Sequence, residues 1–274
     1  MTECDLCFHA CQLAEGQIGF CRARRNVNGI IKLIDYGKVT SVALDPIEKK
    51  PLKHFFPGKM ILSIGGYGCN LRCPFCQNFS ISISGDKTAR TSPLAPQEVL
   101  ALAQQYQTKG NIGVAFTYNE PLIAFEYVVD TAKLVHAAGM KNVLVTNGTI
   151  NEEPLLRLLP YIDAMNIDLK GFTQAFYDKL QGDLESVKHT IELAAKQCHV
   201  EITTLVIPGE NDNDDDMREE AKWLAHIDPA MPLHLSRFFP HYLWIDKPAT
   251  PIETLIRLQK IASVYLKHVY LGNV

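Results

Sequence analysis

Between residues 59 and 266, short apolar runs alternate with amphipathic stretches six times over, and this alternation constrains the fold more than any other feature of the chain. The apolar runs are Met60 to Ile64, Ile112 to Thr117, Asn142 to Thr146, Ala164 to Leu169, Val200 to Ile207 and Leu233 to Phe238. Each is short and apolar enough to be a strand covered on both faces of a parallel sheet. Between them, Val99, Leu102 and Tyr106 share one helical face, as do Leu122, Phe125, Val129 and Ala132. Leu184, Val187, Ile191 and Ala194 repeat the spacing, and so do Leu255, Leu258, Ala262 and Tyr265. Pro121 suits the first turn of its helix and Gly139 a C-terminal cap. A closed eight-fold barrel takes about 250 residues, so six units predict an α/β fold, a partial (β/α)6 TIM-like barrel over residues 59–274. Right-handed crossovers gather the loops that follow the strands on one face, where the active sites of such sheets lie.

Residues 1–58 read differently. They form a cysteine-rich N-terminal extension in which the runs 30–34 and 39–44, parted by Tyr36-Gly37-Lys38, predict a β-hairpin. Asp45-Pro46-Ile47-Glu48-Lys49-Lys50-Pro51 then breaks the pattern. Of eight cysteines, Cys4, Cys7, Cys11 and Cys21 crowd the start, Cys69, Cys73 and Cys76 form a second group, and Cys198 stands alone. No basic segment followed by an apolar stretch opens the chain, and no run approaches the roughly 20 apolar residues of a membrane span. A cytoplasmic location is therefore expected, where grouped cysteines bind metal more often than they form disulfides. A formal net charge of −3 gives no basic footprint for nucleic acid.

The second group follows the first barrel strand: Gly65-Gly66-Tyr67-Gly68-Cys69-Asn70-Leu71-Arg72-Cys73-Pro74-Phe75-Cys76, a C-x3-C-x2-C spacing on a glycine-rich loop. Glycines let a backbone approach the sulfides of a cluster and donate N–H groups to them. An iron–sulfur cubane ordinarily takes four thiolates, so three leave one iron open, the mark of a reactive centre. The amine and carboxylate of S-adenosylmethionine (SAM) could chelate that iron. A zinc knuckle would want a fourth ligand nearby, and no His or Cys follows within fifteen residues of Cys76.

With Phe75 in the aromatic slot, this motif resembles the signature of the radical SAM superfamily. The resemblance implies a [4Fe-4S] cluster on Cys69, Cys73 and Cys76 that reductively cleaves SAM to a 5′-deoxyadenosyl radical. Thr117-Tyr118-Asn119-Glu120-Pro121 is similar to the Gly-Gly-Glu-Pro element that contacts the SAM amino group, which implies that role for Glu120. Read on its own, Glu120 also suits a helix N-terminus. Thr146-Asn147-Gly148 and Asn166-Ile167-Asp168-Leu169-Lys170 resemble strands of pyruvate formate-lyase activating enzyme. Together these likenesses imply that Gly66, Phe75, Thr146, Asn147, Asp168 and Lys170 line the SAM and substrate site. Strand alternation puts Asn166, Asp168 and Lys170 on one side, where Asp168 and Lys170 could equally be a structural pair. Thr203, His234 and Ser236 are further candidates, with His234 readable as a core histidine too. The activating enzymes have an arginine near Thr203 that this chain lacks.

A narrower resemblance covers nearly the whole chain. Cys4-x2-Cys7-x3-Cys11, Glu15-Gly16-x2-Gly19-x-Cys21, the segment Asp45 to Pro51 and the segment Val269 to Val274 look like the AmmeMemoRadiSam-system radical SAM enzymes. Those proteins commonly continue with a further Cys-x2-Cys segment, whereas this sequence runs to Val274. The resemblances imply hydrogen abstraction from a substrate, with a glycyl-radical enzyme or a Memo- or AMMECR-type protein as partner and flavodoxin or ferredoxin as reductant. Modification of a small molecule is the alternative acceptor chemistry, and a non-catalytic iron–sulfur carrier or metal-binding scaffold is the alternative class.

Cys4, Cys7, Cys11 and Cys21 suffice for a closed four-ligand site of zinc or an auxiliary cluster, with His9 able to replace one ligand. Cys198 reads as a small buried hydrophobe. The acidic run from Glu210 to Asp216 lacks the spacing of a calcium loop. Arg22, Arg24 and Arg25 read as a solvated face, and Tyr118, Phe238, Phe239 and Tyr242 as packing at the barrel mouth.

Overall fold

The computed structural model describes residues 1–274 and centres on one open eight-stranded sheet. Its strands are β1 (Ser41–Pro46), β2 (Met60–Gly65), β3 (Asn111–Phe116), β4 (Lys141–Thr146), β5 (Ala164–Asp168), β6 (His199–Val206), β7 (Leu233–Arg237) and β8 (Val269–Gly272). They lie side by side in sequence order, the neighbour order of a barrel wall. β2 to β8 are parallel, and β1 runs antiparallel along β2. Each parallel crossover carries a main helix: α1 (Pro96–Gln105), α2 (Phe125–Ala137), α3 (Glu152–Leu158), α4 (Leu184–Ala194), α5 (Asp214–Ile227) and α6 (Ile252–Ala262), with short additional helices at Phe79–Ser82 and Gln174–Lys179. The architecture is the expected partial (β/α)6 barrel, with β8 as an added parallel edge. No helix is long and apolar enough to cross a membrane.

Alternation along the strands sorts the side chains. Leu62, Ile64, Val114, Leu144, Met165, Ile167, Ile202 and Leu233 point outward into the main core beneath the helices. Ile61, Ala115, Val143 and Ala164 point inward and pack on Ile47, Leu52 and Phe55. Ile47 and Leu52 are fully buried, a contribution of about 1.5–3 kcal/mol each relative to exposure. The segment 47–56 thus plugs the concave side of the sheet toward the end where the strands begin. The opposite end is left for chemistry.

The N-terminal region departs from the sequence reading in three ways. The hairpin pairs Arg24–Val27 with Ile30–Leu33 and turns at Asn28-Gly29, not at Tyr36-Gly37-Lys38. Both turn residues have positive φ (55° and 75°), which Asn-Gly adopts readily. Residues 41–46, placed by sequence in the extension before residue 59, hydrogen-bond along the whole of β2, whose apolar strand is the better partner. Arg24 is no solvated residue: it is buried in a bidentate pair with Glu126 of α2 (2.7 and 2.6 Å), and Arg25 pairs with Asp86.

Candidate active site

The loop that leaves β2 carries Cys69, Cys73 and Cys76 across the carboxyl end of the sheet. Its path is fixed by backbone contacts. Gly68 has φ +82°, and a Cβ there would stand 2.3 Å from the Cys21 carbonyl oxygen, so only glycine fits. The Gly66 N–H donates to Asn119 Oδ1 (2.9 Å), whose own Nδ2 donates to the carbonyls of Tyr67 and Gly68. The Arg72 guanidinium donates to the carbonyls of Cys69, Leu71 and Phe20. Phe75 is buried against Phe176 and Trp244, in a cluster with Leu180, Ile207 and Phe238. That aromatic wedge ties the loop to the barrel, and its ring is already covered by protein.

The three cysteines are half-buried, with their sulfurs close to donors. Asn147 Nδ2 points at Cys69 Sγ (3.7 Å), the Leu71 N–H lies 3.4 Å from the same sulfur, and Cys76 Sγ meets Ser82 Oγ at 3.2 Å. Burial pushes Cys69 well above the ordinary thiol range and Cys73 up to about 12, against the pull of the Lys170 ammonium. Thiols held this way become thiolates when a metal takes the place of the proton. No three His, Cys, Asp or Glu side chains are drawn into a ready coordination shell anywhere in the structure, so a bound metal has to gather its ligands.

Around the loop stand the other candidates. Glu120 is buried, and its carboxylate accepts from the Leu122 N–H (3.0 Å), Thr146 Oγ1 (2.7 Å) and the Asn147 N–H (2.8 Å). Burial raises its pKa to about 7, and these donors restrain the rise. Thr146 therefore serves Glu120, while Asn147 bridges Glu120, Asn70 and Cys69. Asp168 and Lys170 share the inward face at the end of β5 and pair at 2.7 Å. Burial opposes the charge on Lys170, but Asp168 and the thiols of Cys73 and Cys76 raise its pKa overall.

His234 does not join this group. Its Nε2 is given to Glu201 Oε2 (2.6 Å), so it is a paired interior histidine two strands away. Thr203 is likewise engaged, with Asn166. Sequence reading missed Glu201 and a second inward network. There Tyr118 donates to Asp45 (2.8 Å), Lys50 pairs with the same carboxylate (2.8 Å), and Lys50 lies over the Tyr118 ring. Tyr118 holds φ at +73°, a strained geometry for an aromatic residue of the kind that gathers at functional sites. The signal for Glu201 was available in His199-Val200-Glu201-Ile202-Thr203, where polar and apolar residues alternate.

A family match decides what this arrangement is. The description Radical SAM superfamily fits residues 63–221, from within β2 through the three cysteines to α5. The chain belongs to the radical SAM superfamily. An uncharacterized protein of Methanocaldococcus jannaschii is 42% identical over 100% of this chain and 81% of its own length. Pyruvate formate-lyase 1-activating enzyme of Escherichia coli K12 is 30% identical over 54% of this chain and 61% of its own length. The crystal structure of QueE from Escherichia coli shares the fold, with a TM-score of 0.53 at 16% identity over 86% of this chain and 93% of that one. Radical SAM proteins use a [4Fe-4S] cluster and S-adenosylmethionine, and those are the cofactors of this chain. The donor set fits: three thiols on one loop, with an amide and a backbone N–H aimed at the first sulfur.

Proposed function

We propose that Cys69, Cys73 and Cys76 hold the [4Fe-4S] cluster and that the chain abstracts hydrogen from a protein acceptor, as an activating enzyme does. When bound, the cluster and SAM supply one-electron cleavage of the sulfonium to a 5′-deoxyadenosyl radical. The chain's own residues prepare the surroundings. Asn147 and the Leu71 N–H donate toward Cys69, which tempers the charge of its thiolate. Glu120 organises the ends of β3 and β4, with Thr146 and Asn147 as its donors; a carboxylate there would also accept from the cationic amine of bound SAM. Gly66 gives close backbone approach and Phe75 braces the loop from behind. Asp168 and Lys170 present opposite charges beside the thiols, suited to the zwitterionic methionyl end of SAM. His234 acts from further off, through Glu201.

The observation that carries this reading is the three-thiol loop, at the carboxyl end of a parallel sheet, with a polar inward face beside it. Exposed apolar side chains favour a protein acceptor. Phe239, Leu243 and Ile245 line the rim, and Leu243 hydrogen-bonds to the carbonyl of Pro74 in the cluster loop. A docked protein would cover them. A glycyl-radical enzyme is the acceptor we favour, a Memo- or AMMECR-type protein the next, with flavodoxin or ferredoxin as electron donor and the cytoplasm as the place.

The test is anaerobic reconstitution with iron and sulfide, then dithionite and SAM, with 5′-deoxyadenosine quantified against Cys73→Ala. Product from the native chain alone supports the reading, and candidate acceptors are then screened for a glycyl radical by EPR. A fully loaded chain that fails to bind SAM overturns it.

A further inference from the structure

We propose that Cys4, Cys7, Cys11 and Cys21 bind a single zinc ion through four thiolates, and that this ion pins the loop bearing Cys69. The first observation is convergence. The four cysteines, spread over 18 residues, line one small cavity together with His9 and Phe20, and none of them is in a disulfide. The thiols face one cavity without yet forming a coordination shell, so an ion there would draw them together.

The second observation is how little else holds the segment. Its only regular structure is the two-residue pairing of Thr2–Glu3 with Gln12–Leu13. Among the first 22 residues, the only buried hydrophobic side chains besides two of the cysteines are Leu6 and Leu13. A unit with so small a core needs a staple, and a tetrathiolate metal supplies folding free energy directly.

The small space favours a single ion. The cavity has a volume of about 10 Å³, space for one water-sized sphere. A single ion fits that space as it stands, whereas a cubane of four irons and four sulfides would have to open it. Four thiolates, tetrahedral and closed, are the structural donor set of zinc. Arg24 also lines the cavity and offsets part of the negative charge of such a site.

The third observation links this site to the radical chemistry. The residues between these cysteines are the ones that grip the cluster loop. His9 Nε2 donates to the Asn70 carbonyl (2.8 Å). The Arg72 guanidinium stacks over the Phe20 ring at 3.7 Å and donates to the Phe20 carbonyl. The Cys21 carbonyl lies against Gly68, next to Cys69. Zinc binding displaces the four thiol protons to solvent, involves no electron transfer, and fixes His9, Phe20 and Cys21 against residues 68–72.

The experiment keeps the two cysteine groups apart. Native protein, a Cys69→Ala/Cys73→Ala/Cys76→Ala triple variant and a Cys4→Ser/Cys7→Ser double variant are purified anaerobically and their metals quantified by mass spectrometry. One zinc per chain in the native and triple-variant proteins, and none in the double variant, is the expected result. Because the triple variant cannot carry the radical cluster, this outcome does not depend on SAM cleavage. Should the double variant fail to fold, native protein stripped of zinc by a chelator replaces it, read by amide hydrogen exchange. Faster exchange confined to residues 1–26 and 68–72, reversed by added zinc, supports the pinning role. Iron and sulfide retained by the triple variant, or no metal in it, overturns the zinc assignment. Zinc loss without a change at residues 68–72 overturns the pinning role.

Discussion

Replacing Glu201 by glutamine tests how the barrel is closed from below. The carboxylate is fully buried and accepts four hydrogen bonds: from the N–H groups of Lys53 (2.9 Å) and His54 (2.7 Å), and from Nε2 of His199 (2.9 Å) and His234 (2.6 Å). Burial alone would raise its pKa, yet the two histidines and the two backbone donors outweigh burial and hold it at about 2. Relative to an ordinary glutamate, that depression corresponds to about 3 kcal/mol of stability at neutral pH. Glutamine keeps the shape but turns an amide N–H2 toward groups that are themselves donors, so most of this stability should be lost. For a chain of this size about 2 °C of melting temperature accompanies each kcal/mol, which predicts a fall of about 6 °C. The sign of the pH dependence follows from the direction of the shift. The folded pKa lies below the unfolded one, so the contribution is complete above about pH 4.5 and fades as the pH falls toward 2. Thermal unfolding of the cluster-free chains, followed by circular dichroism at pH 7, 5, 4 and 3, should show a gap that is steady to pH 5 and closes below it. Equal melting temperatures at pH 7, or a gap undiminished at pH 3, would refute the reasoning.

Two further substitutions probe the loop and its surroundings. Gly68→Ala should cost about 2–4 kcal/mol, from the left-handed backbone and the displaced Cys21 carbonyl, and should reduce iron uptake on reconstitution; an unchanged melting temperature with full iron would contradict it. Lys170→Met leaves the cysteines in place but removes the cation beside Cys73. Iron content should stay near the native value while 5′-deoxyadenosine falls more than tenfold, and equal turnover would remove Lys170 from the site.

Most of the fold was legible because its signals are local and repeated. All six expected strands begin within one residue of their observed start, and those at Met60, Ala164 and Leu233 coincide with it. Pro121 opens a helical turn and Gly139 closes α2 at φ +71°, as single-residue rules require. The N-terminal half of the problem was less legible because it depends on partner choice. A run such as Ser41–Pro46 can pair with any strand of suitable register, and only the free edge of β2 decides which. The Asn28-Gly29 turn was the one local clue to the true hairpin.

The site divides along the same line. The cysteine spacing is a contiguous pattern and could be read directly; the roles of its neighbours depend on where strand alternation aims each side chain. Thr146 and Ile167 pair across β4 and β5 on the outward face, so Thr146 turns to Glu120 rather than to the barrel interior. Asp168, Thr203 and His234 lie in one inward row, which sequence could suggest. What it could not supply is the plug at 47–56, which crosses beneath that row and brings two backbone N–H groups to Glu201. Once those donors are in place, His234 completes a buried carboxylate's hydrogen bonds. Its position is then explained by the closure of the barrel, and the charged pair that remains beside the cluster loop is Asp168 and Lys170.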